Sequence, residues 1–223
     1  MRAIPTILTT SKEEFVSQIH LFQQYFSRIQ LDIADGKLVP NKTTQIQEMV
    51  DLIEEKKITI DAKTVFDFHL MVEDFESELK DIQKLADLGI VVGLVLINAK
   101  KSPQVSQIQR SYPFAIGLDI FPDVHIAEIA RKYNLNTLSG IQIMTVSPGF
   151  QGSPFLPDML TKIQQLREHN YSGEILIDGG VNNDTLSIIQ SHAYRPDILC
   201  LGSYLTKAGD ELKTRVSHLT ILS

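Results

Sequence analysis

The sequence predicts an eight-stranded (β/α)8 barrel, and two observations lead to that fold class. Short apolar runs alternate with longer amphipathic segments along the chain, at residues 4–8, 29–33, 65–72, 90–97, 114–120, 141–146, 175–177 and 198–201. Equivalent points near the carboxyl ends of these runs lie 24 to 37 residues apart, the size of a strand with its crossover helix. A doubly wound open sheet is the competing class, but it usually has fewer strands and opens with a glycine-rich turn that this sequence lacks.

The segments between the runs have the apolar spacing of helices. Three stripes recur at three- and four-residue intervals: Phe15, Ile19, Phe22 and Phe26; Ile46, Met49, Val50 and Ile53; Leu156, Leu160, Ile163 and Leu166. Residues 182–184 have the composition of a helix N-terminal cap. Because no linker, charge block or low-complexity tract divides the chain, we expect one domain over residues 1–223.

Composition excludes several classes of protein. Hydrophobic residues make up 43% and charged residues 22% of the chain, so a globular domain is expected rather than a disordered one. A net charge of −6 argues against nucleic acid or an anionic membrane as the main partner. The single cysteine, Cys200, excludes an internal disulfide framework and a multi-cysteine zinc site. With no secretory signal pattern in residues 1–15, we expect a soluble cytoplasmic protein.

Polar residues interrupt the apolar runs near their carboxyl ends, where a barrel carries its active site. Gln30 and Asp32 share one face of strand 2, and strand 3 presents a second set on one face: Asp67, His69 and Met71. Asp178 follows the run at 175–177. One such aspartate is most simply a structural hydrogen-bond acceptor, and one such histidine a satisfied core residue. Two aspartates and a histidine on three strands favour a functional site, because a buried charge is costly unless it is paired or binds a metal.

Glycine-rich turns follow the last three predicted strands. Each glycine alone could serve a turn, but loops after strands 7 and 8 commonly build phosphate sites in such barrels. Backbone N–H groups can approach an anion closely where no side chain intervenes. We therefore expect a phosphate cradle, which reconciles an anionic ligand with an acidic protein; its candidate residues are Gly149, Gly152, Gly179, Gly180, Gly202 and Ser203.

Four segments together carry a family resemblance. They are LDIADGKLVPN at 31–41, DFHLMV at 67–72, MTVSPGF at 144–150 with Gly152 and Phe155, and DGGV at 178–181. In this order and spacing they resemble the strand-2, strand-3, strand-6 and strand-7 signatures of ribulose-phosphate 3-epimerases. The likeness extends from Ile4 to about Ala208.

The resemblance implies an enzyme that inverts C3 of a phosphorylated ketopentose through an enediolate. Asp32 and Asp178 match the two aspartates that act as acid and base. A divalent metal (Zn, Fe, Mn or Mg) bound by both aspartates and two histidines stabilises the oxyanion, and His69 matches one of those histidines. Met71 and Met144 match methionines that pack over the intermediate. The resemblance also implies a homo-oligomer.

The sequence departs from the family pattern at several positions. Gln30 stands where the family has its first metal-binding histidine, so as a metal ligand it would favour Mg²⁺ or Mn²⁺ over zinc or iron. Ala34 replaces a methionine, Phe121 replaces an asparagine, and strand 4 (93–98) lacks a histidine. Thr6 replaces a serine that belongs to the substrate site and keeps its hydroxyl.

Three hypotheses follow. The first, which we favour, is an epimerase interconverting D-ribulose 5-phosphate and D-xylulose 5-phosphate. The second keeps the reaction but changes the substrate to another phosphorylated ketose such as a ketohexose, as Ala34 and the altered ends of strands 4 and 5 suggest. The third, motivated by Gln30, is a catalytically weak barrel that only binds a sugar phosphate.

Overall fold

The computed structural model describes residues 1–148 and 153–220 and confirms the predicted barrel. Its strands form a closed parallel sheet in sequence order, in which β8 pairs with β1. They are β1 (Arg2–Ile7), β2 (Arg28–Ala34), β3 (Val65–Met71), β4 (Val91–Asn98), β5 (Ala115–Ile120), β6 (Gly140–Met144), β7 (Glu174–Asp178) and β8 (Ile198–Leu201).

Helices cover the outside of the sheet. They are α1 (Lys12–Phe22), α2 (Ile46–Glu54), α3 (Phe75–Asp87), α4 (Val105–Ser111), α5 (Ile126–Lys132), α6 (Thr161–Glu168), α7 (Asn183–Ser191), α8 (Ser203–Thr206) and α9 (Leu212–Thr220). Asn182 caps α7, because its side chain accepts hydrogen bonds from the N–H groups of Asp184 and Thr185. Within residues 1–148 and 153–220, the helices all fall short of the length and apolarity that a membrane span requires.

Two predicted helical stripes extend beyond their helices. Phe26 lies past the end of α1, although it still packs against the core. Leu156 precedes a short 3-10 turn, Pro157–Leu160, that leads into α6. The reason is local: Pro157 stands at the start of that turn, and the Leu156 N–H is bound to the Thr145 carbonyl. Apolar spacing therefore marked the buried faces correctly but not these two helix boundaries.

The core has two layers. The larger one lies between the strands and the helices that surround them. A smaller cluster joins side chains from β1, β4, β7 and β8: Ile4, Leu94, Leu96, Leu176, Ile198 and Cys200. Because β4 is not a neighbour of β8 in the sheet, these residues meet through the barrel interior.

An ion-pair network lies at the amino-terminal end of the barrel. The Asp67 carboxylate is fully buried and accepts hydrogen bonds from Arg28 Nε at 2.7 Å and from the Leu94 N–H at 2.8 Å. Arg28 also pairs with Glu174 at 3.1 Å. Gly93 leaves room for this carboxylate, because a Cβ there would lie 2.5 Å from Asp67 Oδ1. Asp67 thus has a structural partner, although it shares a strand face with His69.

Candidate active site

The carboxyl ends of β2, β3 and β7 bring Asp32, His69 and Asp178 together. One donor atom from each lies within 4.8 Å of the others, and all three side chains are buried. Asp32 and His69 are direct cross-strand partners, which fixes their proximity through the sheet register. The sequence expectation that these three residues share one site therefore agrees with the geometry.

The His69 imidazole is flanked by carboxylates on both sides. Its Nδ1 lies 3.2 Å from Asp32 Oδ1 and 3.5 Å from Asp178 Oδ2. On its other side, Nε2 lies 3.2 Å from Asp119 Oδ2, and this same oxygen accepts a 2.7 Å hydrogen bond from Asn98 Nδ2.

Sequence reasoning missed Asp119 and Asn98. Both are fully buried near the carboxyl ends of β5 and β4, and they are paired in the sheet register. The signal was present: Asp119 is a charged residue inside the apolar run at 114–120, the same criterion that singled out Asp32.

Gln30 faces the two candidate catalytic carboxylates with its amide nitrogen. Nε2 donates to Asp32 Oδ1 at 2.9 Å and to Asp178 Oδ2 at 2.8 Å, and Gln142 Nε2 also reaches Asp178 Oδ2 at 3.1 Å. The oxygen of Gln30 accepts from the Cys200 thiol, whose Sγ is 3.4 Å away. An amide nitrogen does not bind cations. In this orientation Gln30 is a hydrogen-bond donor to the carboxylates, and acting as a metal ligand would require the amide to rotate.

Burial and crowding of negative charge shift the pKa values in this cluster. Burial, followed by the charge of Asp178, raises the pKa of Asp32 to about 6 against the opposing effects of His69 and Gln30. Burial alone would lower the pKa of His69, but the neighbouring carboxylates, with Asp119 foremost, raise the pKa well above 6.5. Burial also raises the pKa of the Cys200 thiol, so that group stays protonated. The cluster therefore favours added positive charge.

The donor set fits a divalent cation. Two carboxylates and an imidazole are ligands that Zn²⁺, Mn²⁺ and Fe²⁺ accept. Asp32, His69 and Asp178 supply them at mutually compatible distances, in a buried position where uncompensated negative charge is costly.

A pocket opens above this cluster. Its walls include every candidate substrate residue that falls within the described ranges: Thr6, Met71, Met144, Gly179, Gly180, Gly202 and Ser203. The candidates Gly149 and Gly152 lie outside the described residues. Gly179 and Gly180 have φ of +109° and +70°, and a Cβ on Gly179 would lie 2.3 Å from Val146. Their lack of side chains is therefore a requirement of this turn.

Two departures from the family pattern lie outside the pocket wall. Ala34 is fully buried, and its N–H donates to Thr43 Oγ1. Phe121 is buried as well, and its carbonyl accepts from Lys162 Nζ at 3.0 Å. Neither side chain is among the residues that line this pocket.

The fold and the site together define a (β/α)8 barrel with a buried carboxylate–histidine cluster beneath a glycine-lined pocket. Residues 3–205 match the model of the ribulose-phosphate 3-epimerase family, and the chain belongs to that family. It is 28% identical over 216 residues to the ribulose-phosphate 3-epimerase of Helicobacter pylori, with 94% of this chain and 93% of the relative covered. The ribulose-phosphate 3-epimerase of Methanocaldococcus jannaschii is 29% identical over 199 residues, covering 85% and 76% respectively.

Solved structures support the fold. The tryptophan synthase A-subunit from the hyperthermophile Pyrococcus furiosus superposes with a TM-score of 0.65 at 12% identity, covering 99% of this chain and 97% of the other. The tryptophan synthase alpha chain from Legionella pneumophila gives a TM-score of 0.61 at 15% identity, covering 98% and 88%. At such identities the likeness concerns the barrel alone.

Proposed function

We propose that this protein is a sugar-phosphate 3-epimerase, with D-ribulose 5-phosphate and D-xylulose 5-phosphate as its substrate pair. The observation that carries the proposal is the arrangement of Asp32 and Asp178, which both line one pocket although they come from β2 and β7. Membership of the family supports the reaction type.

Inversion at C3 requires a base on one face of the carbon and an acid on the other. In each direction, one carboxyl group must therefore be ionised while its partner carries a proton. Without a cation, burial and the charge of Asp178 raise the pKa of Asp32 to about 6, and we propose Asp32 as one of the two groups that exchange a proton with C3. Asp178, which lines the same pocket, is the proposed partner. The two exchange roles when the reaction runs in reverse.

The remaining pocket residues have roles in binding. The glycines after β7 and the residues that begin α8 are proposed to hold the phosphate with their backbone N–H groups: Gly179, Gly180, Gly202 and Ser203. Met71 and Met144 provide an apolar wall that would exclude water from the reacting carbon. The Thr6 hydroxyl offers a hydrogen bond to the sugar.

Asp32, His69 and Asp178 would hold the divalent cation, with Zn²⁺, Fe²⁺, Mn²⁺ or Mg²⁺ as candidates. When bound, such a cation supplies Lewis-acid stabilisation of the negative charge that develops on the enediolate. In its present orientation, Gln30 steadies the two carboxylates through N–H donation. We also propose, from the family alone, a cytoplasmic homo-oligomer.

One observation favours a second candidate function, a barrel that binds sugar phosphates without turning them over. The Gln30 amide donates an N–H to one oxygen of Asp32 and to one oxygen of Asp178. It does so from the position where the family pattern has a fourth ligand for the cation. A protein of this kind would bind ribulose 5-phosphate but would not exchange its C3 hydrogen.

The test is hydrogen exchange at C3 in D₂O, followed by NMR, beside a coupled epimerase assay with added Mn²⁺, Zn²⁺ or EDTA. We expect Asp178→Asn to lower kcat/KM by at least about 10²-fold. Asp210→Asn changes an exposed aspartate outside the pocket and should leave kcat/KM unchanged. Wild-type turnover by Asp178→Asn would contradict the two-carboxylate mechanism. Ligand binding by the wild-type protein without C3 exchange would favour the binding-only barrel, and a panel of ketohexose phosphates tests the substrate.

A further inference from the structure

The structure contains a buried polar chain behind His69, on the side away from the pocket. Asp119 is fully buried on β5, where an unpaired carboxylate would be strongly destabilising. Its Oδ1 has no hydrogen-bond partner among the described residues, and its Oδ2 accepts from Asn98 and lies 3.2 Å from His69 Nε2. Asp119 and Asn98 are not among the residues that line the pocket, so direct contact with substrate does not explain why these polar side chains are buried here.

The orientation of this chain is set by the backbone. The Lys100 N–H donates to Asn98 Oδ1 at 3.0 Å, so the amide of Asn98 must turn its nitrogen toward Asp119. Asn98 Nδ2 then holds Asp119 Oδ2 at 2.7 Å, and that oxygen lies 3.2 Å from His69 Nε2. Nε2 makes no hydrogen bond of good geometry among the described residues, and Asp119 Oδ2, 3.2 Å away, is the carboxylate oxygen within its reach.

On the opposite side of the imidazole, the carboxylate oxygens already accept hydrogen bonds from other donors. The oxygens that face Nδ1, Asp32 Oδ1 and Asp178 Oδ2, already accept N–H groups from Gln30, and Asp178 accepts another from Gln142. Nδ1 lies 3.2 Å from Asp32 Oδ1, where an N–H would share that oxygen with Gln30, whereas the Asp119 carboxylate that faces Nε2 still has one oxygen, Oδ1, without a donor among the described residues. The nitrogen that holds the hydrogen decides which nitrogen has a lone pair for a metal.

We propose that Asp119 is a positioning residue: oriented by Asn98, it keeps the hydrogen of His69 on Nε2 and turns the Nδ1 lone pair toward the space between Asp32 and Asp178. This inference rests on the cation site of the proposed function and not on the identity of the sugar. Carboxylates behind metal-binding histidines generally act in this way, and their loss lowers metal affinity about 10- to 100-fold.

The experiment measures Zn²⁺ affinity by chelator competition in the purified protein, with no substrate present. We expect Asp119→Leu to weaken Zn²⁺ binding about 10- to 100-fold. Asp119→Asn should weaken it less, because the amide oxygen can still accept from Nε2. A ¹H–¹⁵N NMR spectrum of the Zn²⁺-loaded wild-type protein should show a slowly exchanging Nε2–H of His69, which Asp119→Leu loses and Asp119→Asn retains.

Asp67→Asn is the matched control, because Asp67 is an equally buried aspartate of the same barrel that contacts Arg28 instead of His69. It should lower thermal stability and leave Zn²⁺ affinity unchanged. Equal Zn²⁺ affinity in wild type and Asp119→Leu would overturn the inference, and so would a wild-type protein that binds neither Zn²⁺ nor Mn²⁺. An inactive protein whose Zn²⁺ affinity depends on Asp119 would reject the epimerase function and leave the inference standing.

Discussion

Arg28→Met should destabilise the folded barrel by about 3 to 5 kcal/mol at pH 8, because it strands a buried charge. The Asp67 carboxylate is fully buried and has two donors, Arg28 Nε at 2.7 Å and the Leu94 N–H at 2.8 Å. Methionine retains much of the length of arginine but neither its charge nor its donors. One backbone N–H then remains for a carboxylate that water does not reach.

The loss should depend on pH, and its sign follows from the pKa of Asp67. Burial raises this pKa above 3.8 in the folded protein, and the Arg28 charge opposes the rise. Without Arg28 the folded-state pKa rises further, so folding favours the protonated carboxyl. Stability from such a group is fully present below the unfolded-state pKa and is lost as pH increases through the folded-state pKa. The deficit of Arg28→Met should therefore shrink toward pH 5 and grow toward pH 8.

Urea unfolding followed by circular dichroism at pH 5 and pH 8 measures both effects. Arg2→Met is the matched control, because Arg2 pairs with Glu174 but its side chain is 61% exposed, so its loss should cost at most about 1 kcal/mol. Adding Asp67→Asn to Arg28→Met should recover part of the stability at pH 8. A deficit below about 1 kcal/mol, or one that is equal at both pH values, would refute the buried-charge argument.

Three further predictions concern other parts of the chain. Burial and nearby aspartates raise the pKa of Glu78 to about 7, so its contribution to stability is lost as pH rises through 7. At pH 8 the free energy of unfolding of Glu78→Gln should therefore exceed that of wild type by about 1 to 2 kcal/mol, after allowance for solvent screening. In thermal unfolding the variant should melt at a higher temperature than wild type at pH 8, and the difference should fade at pH 5. Lys162→Met should cost at least about 2 kcal/mol in urea unfolding, because the buried Nζ donates to three carbonyls in the loop at 121–124, and the exposed Lys207→Met should cost little. Gln30→His should raise Zn²⁺ affinity in chelator competition, and an unchanged affinity would mean that the side chain at this position does not face the cation.

The barrel was predictable because its signals are local and repeat along the chain. Apolar runs alternate with longer segments, three of which show a clear helical stripe, and this alternation together with the spacing of the units identified the fold. Helix boundaries were less predictable, since they depend on single contacts such as the hydrogen bond between the Leu156 N–H and the Thr145 carbonyl. Phe26 shows the same limit, because a buried side chain keeps the helical spacing even where the helix has ended.

The candidate site was predictable in part. Asp32, His69 and Asp178 were found because charged residues near the carboxyl ends of barrel strands share one face of the fold. The orientation of Gln30 was not predictable, because its amide oxygen accepts from Cys200, which is far away in sequence. Asp119 was within reach of the same reasoning, because it too is a charged residue near the carboxyl end of a barrel strand.

Gln30, which differs from the family pattern, and Asp119, which sequence reasoning missed, both contact a cluster with an excess of negative charge. Carboxylates from Asp32, Asp119 and Asp178 surround a single imidazole, and even a protonated His69 leaves negative charge in excess. The raised pKa values of Asp32 and His69 both point in the direction that this excess requires. Glutamine at position 30, where the family pattern has a histidine, presents an N–H that would compete with a cation for the same carboxylate oxygens. In the proposed cation site, where glutamine stands in place of a histidine ligand, we expect the orientation of His69 by Asp119 to matter more than in a site with two histidine ligands.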